Sequence, residues 1–223
     1  MMKYKHPRSQ IHSTPRPYRM VNRKVAVDKN RERILSAARA VLLAEDFSEF
    51  SMDAVARKAG VIRPTLYYQF HSKTGLLEEL YNYIARRGNI RELAAIFQKS
   101  NDAVQWLHEF IGFFVGFWQS DRDLIRRLHG LGAIDSEIGQ GLLARNERRR
   151  NGLRAIVERY EEGYRSFNAL ERPVVIDTLH MLTSFETFDA LANGRNSEAV
   201  VDILQKHADY AIKFIRPVLS PRY

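Results

Sequence analysis

The chain has 223 residues, 45% of them hydrophobic and 27% charged, with no cysteine and a formal net charge of +9. This composition fits a soluble globular protein of one large or two small domains. It excludes disulfides and thiolate metal ligands, and with no run of about 18 apolar residues it excludes a membrane-spanning helix.

The charge is unevenly placed. Residues 1–88 hold 17 Lys/Arg against 8 Asp/Glu, and residues 89–223 hold 18 of each, so the whole surplus lies in the front two-fifths. Such asymmetry predicts a polyanion-binding front and a neutral back, with a solvated basic tail as the alternative. Residues 1–28 read as a disordered basic arm. They contain Pro7, Pro15 and Pro17, and the apolar residues through position 30 keep no period. No apolar segment follows the first basic residues, so no secretory signal is expected.

Helical periodicity starts near Lys29. Ile34, Leu35, Ala38, Val41 and Leu42 share one face of a helix that closes near Asp46. Phe47 and Phe50 lie in the connection. Ser51 is placed to cap a helix over Met52–Ala59, with Asp53 in its first turn, and Gly60 to end it in a left-handed conformation. Arg63 or Pro64 to Gln69 then reads as a short helix, with proline in its first turn. Ser72 caps a longer one, Lys73 to about Arg87, striped by Leu76, Leu77, Leu80, Tyr81 and Ile84. The predicted helices beyond it are 89–98, 102–119, 121–131, 136–167, 172–192 and 197–215. The breaks are Gly88, Asn101, Asp121, Gly132, Pro173 and Gly194–Asn196. No strand pattern appears, so the chain reads as all-α: a helix-turn-helix domain with a linker helix at 29–88 and a larger helical domain at 89–223.

Two helices joined by a tight glycine turn, the second short and polar, make a helix-turn-helix, whose second helix enters the DNA major groove. The residues suit that task. Arg63, beside Pro64, can pair with guanine, and Thr65 can touch a base or a phosphate. Tyr67 and Tyr68 carry hydroxyls for phosphates and rings for thymine methyls. Gln69 can read adenine or bind phosphate, and Lys73 can neutralise a phosphate. Leu66 and Phe70 face the core. For Tyr68 the alternative is a cover over Leu66, and for Lys73 an ordinary solvated lysine. Arg19, Arg23 and Lys24 could enter a minor groove or belong to a plain tail.

The stretch AGVIRPTLYYQFHSKTGLL, after RERILSAARAVLLAEDF, resembles the recognition region of the tetracycline-repressor (TetR) family of bacterial transcription regulators. The resemblance covers residues 31–80. It implies a three-helix DNA-binding domain, a linker helix, and a larger helical domain that binds a ligand and dimerises. It also implies that Ser51, Thr65, Tyr67 and Lys73 contact DNA. Two positions depart from the pattern: Ile62 stands where a capping serine is common, and Gln69 where an aromatic or histidine is common.

The back half carries no enzyme signature. GLG at 130–132 lacks a preceding strand, and the histidines, including His6, His12 and His71, show no metal spacing, so no catalysis, metal or cofactor is expected. Phe110, Phe113, Phe114, Phe117 and Trp118 crowd more than one face of a helix, with Gly112 and Gly116 leaving room for a close neighbour. They read as core, or as the lining of a pocket for a small apolar or aromatic effector, oriented by His129, Tyr160, Tyr164, His180 or Thr183. The RNERRR run, Arg145–Arg150, reads as a solvated face. The last two helices carry more apolar surface than one core needs, including Leu179, Leu182, Ile203, Tyr210 and Phe214. In the resembled family this pair forms the dimer. The expected protein is therefore a homodimeric, ligand-responsive repressor of a palindromic operator on double-stranded DNA, cytoplasmic and nucleoid-associated, with no membrane partner. The alternative is a ligand-independent DNA-binding regulator or architectural protein.

Overall fold

The structure, a computed structural model, describes residues 17–44, 50–88 and 92–215, with side chains from Val27 onward except those of Glu92 and Lys99. Eleven helices occupy them: α1 Pro17–Leu43, α2 Met52–Ala59, α3 Arg63–Phe70, α4 Lys73–Arg87, α5 Glu92–Lys99 and α6 Ala103–Ser120; then α7 Arg122–Ile134, α8 Ser136–Gly163, α9 Glu171–Leu182, α10 Phe185–Leu191 and α11 Ser197–Phe214. Among the described residues there is no strand, and no helix is long and apolar enough to cross a membrane.

Local chemistry starts most of these helices. Ser51 Oγ accepts from Ala54 N, and Ser72 Oγ accepts from Gly75 N. Asp102, Asp135, Ser184 and Asn196 cap α6, α8, α10 and α11 in the same way. Gly60 ends α2 with φ 62° and returns its N–H to the carbonyls of Ala56 and Arg57.

Four expectations need correction. The first helix begins at Pro17, not Lys29, so residues 17–28 of the expected arm are helical. Proline sits at the tolerated first position, and no glycine or further proline interrupts the Arg-, Lys- and Val-bearing run behind it. Residues 1–16 and the side chains of Arg19, Arg23 and Lys24 lie outside the described set, as do Phe47 and residues 89–91. Second, α7 runs through Gly132 to Ile134, because Asp135 caps the next helix two residues later. Third, α8 stops at Gly163 rather than Phe167. Fourth, the expected helix 172–192 is two helices, since Ser184 turns extended and caps α10.

The front three helices close on Ile34, Leu35, Leu42, Val55, Leu66 and Phe70, all buried. Burying each of these large side chains stabilises by about 1.5–3 kcal/mol. The second half is built around α6, flanked by α8, α10 and α11, while α7 lies between α1 and α8. Two arginines tie the halves. Arg39 of α1 grips Asp121 with two bonds of 2.7 Å, and Arg127 of α7 donates to the carbonyls of Leu42 and Ala44 at 2.8 and 2.5 Å.

Candidate functional site

The face of α3 away from Leu66 and Phe70 is open. Arg63, Pro64, Tyr67 and Tyr68 are exposed there, Tyr68 by 84%, while Thr65 and Gln69 are half-buried. Ile62 supplies no side-chain cap; Pro64 has no N–H to satisfy, and Thr65 N donates to the Ile62 carbonyl at 3.0 Å, so the first turn of α3 largely closes on itself. Arg63 is pre-set: Nη2 donates to the Tyr67 hydroxyl at 3.2 Å, Nη1 reaches Asp53 Oδ2 at 3.3 Å, and the guanidinium lies 5.3 Å from the Tyr67 ring centre. Ser51 is occupied as the α2 cap. Lys73 is half-buried, with its ammonium 5.6 Å from the Phe50 ring.

Gln69 differs from expectation. Its Oε1 is buried without a hydrogen-bond partner, and its backbone carbonyl accepts from Arg31 Nη1 at 3.2 Å. In this conformation that acceptor is turned away from an outside base. Arg31 also pairs with Glu79 at 2.6 Å and covers Phe70, so one α1 residue clamps the end of α3 to α4. Sequence reasoning passed over Arg31, although it sits one helical turn before Ile34 and Leu35 of the core face.

The α3–α4 joint is tight. His71 adopts φ 64°, rare for a side-chain-bearing residue. A Cβ on Gly75 would lie 2.2 Å from the carbonyl oxygen of Phe70, so only glycine fits there.

A cavity of ≈ 290 Å³ opens where α4, α5, α6, α7 and α8 meet. Of the ten residues proposed for an effector site, Phe114, Phe117, Trp118 and His129 line it. Phe110 is fully buried core, and Phe113 stacks on Phe117 outside the cavity wall. A Cβ on Gly112 or Gly116 would meet nothing among the described residues within 4 Å; both glycines line a separate groove between α6 and the start of α11, with Ser197, Val201 and Gln205. Tyr160 stacks on Tyr164 and Phe167, and the Tyr164 hydroxyl donates to Asp102 at 2.8 Å, both away from the cavity. His180 and Thr183 stand behind the wall as partners of Arg149.

Sequence reasoning missed the polar wall. Tyr81 and Asn82 of α4, and Arg145, Asn146, Arg148 and Arg149 of α8, line the cavity. The RNERRR run is therefore not a uniformly solvated face: Arg149 is 4% exposed. It donates to His180 O at 3.0 Å, Thr183 Oγ1 at 3.1 Å and Asn146 Oδ1 at 3.2 Å, and meets His180 Nε2 at 3.0 Å. Burial lowers its pKa to about 10, so it stays a cation at neutral pH. Burial, then Arg149 and Arg150, push His180 down to about 4, so the ring is neutral; Nε2 lies between Arg149 Nη2 at 3.0 Å and the Asn146 carbonyl at 3.2 Å, and Nδ1 stands 3.5 Å from Arg150 Nη2. Tyr81, whose hydroxyl burial makes harder to ionise, meets His129 Nε2 at 3.1 Å. On its other side His129 Nδ1 donates to Glu186 at 2.8 Å, which holds that carboxylate down to about 2. No group of three or more His, Asp or Glu among the described residues is placed to hold a metal.

Comparison with known proteins bears on both regions. Residues 34–80 match the family model described as "Bacterial regulatory proteins, tetR family". The chain is 40% identical over 66 residues to the HTH-type transcriptional regulator SrpR of Pseudomonas putida, covering 30% of each chain. It is 36% identical over 62 residues to the regulator EthR of Mycolicibacterium smegmatis, covering 28% of this chain and 29% of EthR. The match thus spans less than a third of either relative. Solved structures match far more of the fold. The regulator FadR from Bacillus subtilis, in complex with stearoyl-CoA, superposes with a TM-score of 0.66 at 17% identity, over 83% of this chain and 99% of that one. NalD of Pseudomonas aeruginosa, the secondary repressor of the MexAB-OprM efflux pump, superposes at 0.64 and 18% identity, over 83% and 96%.

Proposed function

We propose, for a chain whose residues 34–80 match the tetR family of bacterial regulatory proteins and whose fold is shared with solved regulators, a homodimeric repressor that binds a palindromic operator and releases it on binding a small effector. The observation that carries this reading is a single helix. α4 leaves the recognition helix at Lys73 and lines the cavity eight residues later, at Tyr81 and Asn82. An occupant of the cavity and a DNA groove on α3 therefore act on the same rigid element. A ligand shifts the balance only by preferring one conformation, so effector and operator affinities are reciprocally coupled. The solved complex of FadR with stearoyl-CoA, which shares this fold, supports a ligand role.

In this reading Arg63 and Thr65 meet base edges, Tyr67, Tyr68 and Lys73 meet phosphates, and Ser51 and Pro64 set the entry of their helices. The dimer is supported by the outer face of α9 and α11. Val174, Met181, Tyr210 and Phe214 are exposed there, the last three by more than half. A two-fold dimer places two α3 helices about one DNA turn apart, which calls for a near-palindrome. The protein would act on the nucleoid in the bacterial cytoplasm.

Selection of random duplex DNA by the purified protein at two salt concentrations tests this. The expected result is an enriched palindrome whose half-sites lie about 10 base pairs apart. Salt-sensitive binding without enrichment would replace the repressor by an architectural protein. An operator affinity that no cavity-binding compound changes would leave a ligand-independent regulator.

A further inference from the structure

Resting on the reading of the cavity as an effector site, we infer that its ligand is a small amphipathic organic anion, with an apolar or aromatic body and a carboxylate-like head held by the α8 arginines.

The cavity lining is of two kinds. Leu93, Phe114, Phe117, Trp118 and Leu142 are apolar. Arg145, Arg148 and Arg149 also line it, and the described lining residues include no Asp or Glu. Three acids stand outside the lining: Glu186, engaged by His129, and Glu78 and Glu79 near Arg145. Arg149 is buried, yet its hydrogen-bond partners, Thr183 Oγ1, Asn146 Oδ1, His180 Nε2 and the His180 carbonyl, are all neutral. Its Nε is buried with no partner at all. Arg145 likewise donates to neutral acceptors, the carbonyls of Gly141 and Glu78 and Asn82 Oδ1. Carboxylates act on these cations only from outside the cavity lining, Glu186 on Arg149 and Glu78 and Glu79 on Arg145, and without a direct ion pair to either guanidinium among the described residues, so burial remains costly and an anion entering the cavity would offset that cost. Guanidinium forks match a carboxylate better than they match a neutral amide or hydroxyl. A cationic ligand would meet three positive groups among the described lining residues. At ≈ 290 Å³ the cavity stands at the small end of organic-ligand pockets, which favours a compact body.

The experiment uses the full chain without DNA. Phenyl-terminated and straight-chain carboxylates, with their primary amides and primary amines, are titrated by calorimetry and by tryptophan fluorescence, since Trp118 lines the cavity. Carboxylates are expected to bind about tenfold tighter than their amides, and amines not at all. Arg149→Met should erase the carboxylate preference. Should that variant fail to fold, exposed Arg148→Ala, which leaves the core intact, should still lower carboxylate affinity while leaving amide affinity unchanged. Amides or amines binding as well as carboxylates would overturn the inference, and so would a native protein that binds no carboxylate. The regulator reading fails separately. Carboxylates that bind with the expected preference but leave DNA affinity unchanged would sink the switch and spare the ligand class.

Discussion

His180 holds its ring neutral between two arginines, and this sets a pH dependence. Its pKa falls from 6.5 to about 4, through burial first and then Arg149 and Arg150. Between those values the unfolded chain takes up a proton that the folded chain refuses. Stability is therefore complete above pH 6.5 and is lost as pH falls towards 4. The full shift corresponds to about 3 kcal/mol, reduced to about 1–2 because the ring is partly exposed. Melting temperatures across that window should fall for the native protein and stay flatter for His180→Gln. Equal slopes would mean that His180 does not carry the effect. At Tyr67 the expectation runs the other way: Tyr67→Phe should weaken DNA binding by about tenfold and leave the melt nearly unchanged, because the hydroxyl is at the surface and bonds only Arg63. An equal loss of folding stability would make it a structural residue. Much of α3 could be read from sequence, since Pro64, Thr65 and the paired tyrosines are local signals. Arg149 could not. A charge run looks solvated until α9 brings Thr183 and His180 against it, and nothing in RNERRR announces those neighbours.

At the level of elements, caps separated what was legible from what was not. Ser51, Gly60 and Ser72 mark α2 to α4 in a polar setting, and the helices begin where those residues stand. Ser184 is an equally good cap, but it lies inside an apolar run that sustains one helical period on both sides, so the α9–α10 break was hidden. The interhelical ties were invisible as well, because Arg39 and Asp121 are 82 residues apart. The Asp121 side chain is 10% exposed and accepts both guanidinium bonds. Asp121→Ala should cost about 1–2 kcal/mol of stability, measured by chemical denaturation. A change within a few tenths would show that α1 and α7 stay docked through Arg127 alone. Gly75→Ala should cost about 1–3 kcal/mol, because the Phe70 carbonyl cannot yield without moving the end of α3.

Over the whole molecule, the proposed reading gives the open face of α3 to DNA and the apolar outer face of α9 and α11 to a second copy. The proposed dimer predicts that Phe214→Lys, at a side chain 60% exposed, leaves the monomer folded but shifts sedimentation from dimer to monomer. Operator affinity should fall with it, since one recognition helix then binds without its mate. Native protein sedimenting as a monomer at micromolar concentration would remove the palindrome argument.

The joint at Phe70, His71 and Gly75 gives α4 the character of a stiff crank with no backlash. A loop of flexible residues there would absorb a small rotation; a carbonyl seated where a side chain cannot fit will not. From Tyr81 to Lys73 the crank is about 12 Å long, at roughly 1.5 Å per residue. A tilt of about 10° at the cavity end thus carries α3 by about 2 Å, more than half the spacing between stacked base pairs, which is roughly 3.4 Å. An effector that displaces two side chains on α4 needs no larger stroke to throw the recognition helix out of step with its groove.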